Sequence, residues 1–80
     1  MSYRDRATIH MNKVPEFKEF LVTLGYVMEE TKGPYEIIRA RLGVKPPVIF
    51  HKRDRTNHLT VWGREGQSLS ARFMHRRRVG

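Results

Sequence analysis

Apolar residues recur at three- and four-residue steps in one early stretch. Phe17, Phe20, Leu21 and Leu24 fall at i, i+3, i+4 and i+7 of VPEFKEFLVTLGY and predict a helix over residues 15–24. Pro15 suits its first turn, Glu16 and Glu19 favour the positive end of the peptide dipole, and Gly25 suits the left-handed position just past its end. Beyond Gly25 the period changes to two. YVMEET reads as a short strand, Lys32-Gly33-Pro34 as a turn, and YEIIRARL as a second strand that Gly43 and Pro46-Pro47 bring to an end. VIFHK is a third strand. RDRTN is a polar loop, and HLTVW is a fourth strand closed by Gly63-Arg64-Glu65-Gly66. The final segment, QSLSARFMHRRR, sets Leu69 and Phe73 at i, i+4 with Met74 beside them, which predicts a short amphipathic helix with an arginine-rich back. Residues 1–12 alternate only weakly, through Ala7, Ile9 and Met11. They read as a tail or edge strand ahead of a single domain over residues 13–80.

Helix, three or four antiparallel strands, helix: this order predicts a two-layer α+β fold with both helices on one face of the sheet. The other face is left to water or to a partner. Strand alternation then sorts the side chains. Glu36, Ile38, Ala40 and Leu42 are expected on the inner side and Tyr35, Ile37, Arg39 and Arg41 on the open side. Leu59 and Val61 belong inside, which sends His58, Thr60 and Trp62 outward. The third strand leaves both choices open, with Val48 and Phe50 facing the core or Ile49 and His51 doing so.

Composition narrows the field. Eighty residues make one domain, and a chain of this length buries roughly 60–65% of its unfolded surface, leaving little for a deep catalytic cavity. It has no cysteine, which removes disulfides and thiolate metal sites, and no apolar run of membrane-spanning length. A cytoplasmic protein with no membrane partner is expected. Lys and Arg number 16 against 8 Asp and Glu, for a formal charge of +8 and a pI near 10.6, with arginine supplying most of the excess. A polyanion would relieve that repulsion, and the planar guanidinium fork suits phosphate oxygens and base edges.

Two cationic groups are candidates. On the open sheet face Arg39 and Arg41 lie among aromatic side chains, Trp62 and Tyr35, a mixture that can hold phosphates and stack bases. A lone Trp in a small domain more often caps the edge of the core, and strand arginines can simply be solvated. The second group joins Arg72, His75, Arg76, Arg77 and Arg78 around the last helix to Lys52, Arg53 and Arg55 in the loop before the fourth strand. A basic helix and a basic loop can straddle a groove. Cations in a last helical turn also favour the dipole with no ligand at all. His51 and His58 flank that loop and invite a general acid/base reading for metal-free RNA cleavage, although Asp54-Arg55 is a poor two-residue hairpin turn. A metal at this histidine pair would want a third ligand, for which only Asp54 or His10 are at hand, and neither a metal nor any other cofactor is expected.

Over roughly residues 13–78 the order of elements, with TKGPYEIIRA at its centre, resembles HicA-type toxins, small proteins similar in fold to double-stranded-RNA-binding domains, and also basic accessory proteins that phages encode. The resemblance implies the α+β fold and, for a phage protein, residence in the cytoplasm of a bacterial host. HicA-like proteins carry Lys-Gly-Ser-His where this chain has Lys32-Gly33-Pro34-Tyr35. Tyr35 stands in the place of the implied catalytic histidine, so the ribonuclease chemistry does not carry over. The first expectation is therefore a non-catalytic, sequence-tolerant binder of RNA or DNA, monomeric or homodimeric. Its phosphate contacts would come from Arg39, Arg41, Lys52, Arg53, Arg55, Arg72, Arg76 and Arg77, with Trp62 or Tyr35 stacking. The alternatives are a phage-type accessory protein that docks on an acidic host protein and, third, a metal-independent ribonuclease.

Overall fold

A computed structural model describes residues 8–52 and 56–76. Strand β1 (Ile9–His10) leads through a 3₁₀ turn into helix α1 (Val14–Thr23). Strands β2 (Val27–Glu29), β3 (Glu36–Arg41), β4 (Val48–Lys52) and β5 (His58–Val61) follow, and helix α2 (Arg64–His75) completes the order. The sheet is antiparallel throughout, in the order β1-β5-β4-β3-β2, so β2 to β5 form a meander and the amino-terminal tail adds a fifth strand at the β5 edge. No helix among the described residues is long and apolar enough to cross a membrane.

The buried side chains explain the two layers. Val14, Phe17 and Leu21 from α1 and Leu69 and Phe73 from α2 pack on Ile9, Ile38, Ala40, Val48, Phe50, Leu59 and Val61 of the sheet. Phe17 is the hinge of this packing, with its ring 4.9 Å from that of Phe50 and 5.0 Å from that of Phe73, both edge-on. Both helices therefore cover the same face. Val48 and Phe50 point into the core, which resolves the third strand and leaves Ile49 and His51 on the open side.

The first helix ends as expected. Gly25 adopts φ 97°, its N–H donates to Val22 O, and the Tyr26 N–H donates to Leu21 O, the paired bonds of a Schellman motif. The last helix differs from expectation at both ends of its sequence. It starts at Arg64 rather than near Gln67, and Met74 faces solvent instead of joining Leu69 and Phe73. Gly66 accounts for the early start: a Cβ there would overlap Val61 Cγ2, so this glycine lets the helix lie directly on β5 rather than ending a turn.

Candidate functional site

The open face departs from strict alternation at the start of β3. A bulge between Glu36 and Ile38 shifts the β3–β4 register, pairing Glu36 with His51 and Ile38 with Phe50. One inserted residue reverses the pleat, so Ile37 packs against the core and Glu36 turns outward, the opposite of what strict alternation predicts. Outside, the Glu36 carboxylate meets Arg39. Nη2 of Arg39 donates to Oε2 at 2.7 Å and Nε to Oε1 at 3.2 Å, while the Lys32 backbone N–H donates to Oε1 at 2.7 Å.

The two side chains are only 14% and 11% exposed. The Arg39 hydrogen bond, with that from the Lys32 amide, holds the Glu36 carboxyl below the usual carboxylate range, and the same Glu36 bond raises Arg39. Arg41 is engaged too. Its Nε donates to Oε2 of Glu29 at 2.6 Å and its Nη1 to Lys45 O at 3.2 Å, and the Glu29 bond depresses that carboxyl. Because Glu29 also stands opposite Arg39 in the β2–β3 pairing, the four charges alternate across the face and cancel. The arginine pair thus lies on the expected side of the sheet, with its charge already answered.

A different arrangement adjoins the end of β5. Leu59 and Val61 are buried, so the next outward position sends the Trp62 indole into solvent, 72% exposed rather than capping the core. Gly63 follows at φ 101°, a conformation that side chains rarely adopt, and redirects the chain into α2. Between Trp62, the first turn of α2 and the Pro46-Pro47 approach to β4 lies an open cleft of about 350 Å³, walled also by Ile49, His51 and Arg64. Glu65 is its one carboxylate among the lining residues. It accepts from the Tyr26 hydroxyl at 3.1 Å and meets Lys45 Nζ at 3.4 Å. Burial first, and the Glu65 bond second, push the Tyr26 hydroxyl above its ordinary value.

Along the solvent side of α2 the exposed residues Arg64, Ser68, Arg72 and His75 follow one another at helical steps. Neither Arg64 nor Arg72 forms an ion pair with a described residue. The cleft and this stripe share Arg64. Sequence reasoning passes over Arg64 because the Gly63-Arg64-Glu65-Gly66 run reads as a closing turn; the spacing of Gly66, Leu69, Ser70 and Phe73 at i, i+3, i+4 and i+7 is the signal that extends the helix back to it.

The other predicted residues fall elsewhere. Lys52 stands opposite Leu59 and so projects toward the helix-covered side, away from Arg39 and Arg41. Arg76 lies 4.1 Å over the Phe73 ring, donates to Phe73 O, and approaches Glu16 at 3.8 Å. Arg53, Arg55 and Arg77, with Arg78, lie outside the described residues. Ten of the lysines and arginines and six of the glutamates are described, so half of the +8 resides in the remaining residues. Tyr35 is half exposed beside the β2–β3 turn.

The histidines do not pair as the loop suggested. His58 stands opposite His10, with ring centroids 4.9 Å apart and edge to face, whereas His51 stands opposite Thr60 and Glu36. His10 Nδ1 accepts the Asn12 N–H, which fixes that ring. Among the described residues no three His, Asp or Glu side chains come together as metal ligands would. Comparison with protein-family models, curated proteins and solved structures returns no match to this chain.

Proposed function

We propose that the protein is a non-catalytic nucleic-acid-binding module whose contact surface runs from Trp62 and Arg64 along the solvent side of α2 to Arg72. The observation that carries this reading is the contrast in charge compensation. Arg64 and Arg72 have no carboxylate partner among the described residues, whereas Arg39 and Arg41 are held by Glu36 and Glu29. An unpaired guanidinium brings its full charge to a phosphate, while a paired one must first give up hydrogen bonds it already has. The formal +8 supplies long-range attraction, and by sequence Arg53, Arg55 and Arg77 add to it. Arginine contacts to phosphate carry no sequence information, which fits sequence-tolerant binding.

A salt titration tests this. Binding to a short RNA or DNA, followed by anisotropy, is expected to weaken linearly in log–log form, with a slope of about −0.9 per phosphate neutralised on duplex and about −0.7 on single strands. Absent binding, or affinity indifferent to salt, overturns it. A second reading, docking on an acidic host protein, draws on the exposed indole next to Pro47 and Ile49, since aromatic and arginine anchors also serve protein interfaces. A partner captured equally well after nuclease digestion would favour that reading.

A further inference from the structure

The cleft beside Trp62 has a shape and a chemistry that the helical stripe lacks. Its walls are largely apolar, from Pro46, Pro47, Ile49 and the indole, and its lining also includes Arg64 and the His51 imidazole. An indole left 72% in water contributes little to the fold, so the position is available for a ligand. It is also held firmly, because Val61 before it is buried and Gly63 after it leads straight into a packed helix.

The single carboxylate of the lining offers no obstacle to an anion. Glu65 is already engaged by the Tyr26 hydroxyl and Lys45, and no carboxylate of a described residue pairs with Arg64. Flat ring, apolar floor and adjacent guanidinium are the elements that hold an unpaired nucleotide, with its base on the aromatic face and its phosphate on the cation. A duplex keeps its base faces stacked on one another and offers none to the indole.

Resting on the nucleic-acid reading above, we infer that Trp62, Ile49, Pro47 and Arg64 form a slot for one unpaired nucleobase, so that the protein prefers single-stranded or looped nucleic acid over continuous duplex. The charge stripe on α2 supplies affinity for either form. The slot supplies the discrimination.

Trp62 is the chain's single tryptophan, so its intrinsic fluorescence reports on this position alone. An oligothymidine titrated into the whole protein is expected to quench that emission and to bind more tightly than the same strand annealed to its complement. Trp62→Ala is expected to weaken the single strand roughly 5- to 150-fold, the range for loss of one stacked base, with a clearly smaller loss for the duplex. Trp62→Phe should restore most of the preference. Circular dichroism of each variant is expected to match the parent, since the indole is exposed. If Trp62→Ala lowers affinity for both forms equally, or oligothymidine binds without quenching, the slot is refuted while nucleic-acid binding stands. If the parent protein binds neither form, both the slot and the proposed function fall.

Discussion

Arg39 and Arg41 in the sheet, and Arg64 and Arg72 on α2, are one residue type in opposite circumstances. On the sheet, cross-strand register brings Glu29 beside both arginines and a bulge swings Glu36 out to meet Arg39, so the cations are consumed within the fold. On the helix, the neighbours at three and four residues along the exposed side are Ser68 and His75, and no carboxylate of a described residue closes on either guanidinium. Counting arginines therefore overstates what a surface can offer an anion. What matters is how many still have a hydrogen-bonding side free.

The largest effect is expected where the two regions join. Gly66 lies in α2 against Val61 of β5, next to the Trp62 cleft. For an exposed helical position Gly66→Ala would stabilise by up to about 1 kcal/mol through propensity. Here the added methyl overlaps Val61, and overpacking of this kind costs about 1–3 kcal/mol. Packing should prevail, and urea denaturation is expected to show net destabilisation, together with a shift in Trp62 emission as the cleft wall moves. A stabilised variant would mean that α2 does not lie on β5 this closely.

Substituting the arginines separates the regions directly. Arg64→Gln with Arg72→Gln is expected to reduce the magnitude of the log–log salt slope of nucleic-acid binding by about two, roughly one for each phosphate that is no longer neutralised, with little change in denaturation midpoint. Arg39→Gln is expected to do the reverse. The slope should stay as in the parent while the midpoint falls, because Glu36 keeps its largely covered carboxylate and loses the bidentate partner. Equal changes in slope from the two regions would erase the distinction on which the proposed surface rests.

How much of this was legible beforehand depends on the range over which each feature is determined. The outward placement of Trp62 followed from Leu59 and Val61 alone, and that of Arg39 and Arg41 from Ile38 and Ala40, since a pleat is a local rule. The α+β order followed from a change of period at Gly25. The partners of the arginines did not follow, because Glu29 reaches them through a register set by the turn over residues 30–35 and Glu36 through a bulge that no local pattern announces. Gly66 misled for a related reason. A glycine required by a neighbouring strand looks in sequence like one required by a turn, and that hid both the true start of α2 and Arg64.

The smallest predicted effect lies in acid. Glu36 has its carboxyl held below the ordinary value of 4.5, mainly by the Arg39 bond. The folded form therefore binds this proton less readily than the unfolded chain, so the contribution is complete above the unfolded carboxylate value and is lost as pH falls through the depressed folded one. Glu29 behaves alike through Arg41. Thermal midpoints measured downward from neutral pH should thus begin to fall near pH 4.5 and continue below it, whereas Glu36→Gln should start lower and lose less over the same interval. Arg64→Gln, which disturbs no carboxylate bond among the described residues, should follow the parent's acid limb throughout. A Glu36→Gln curve parallel to the parent's would mean that the sheet arginine is not committed to its glutamate in solution, and Arg39 would then return to the set of cations available to a ligand.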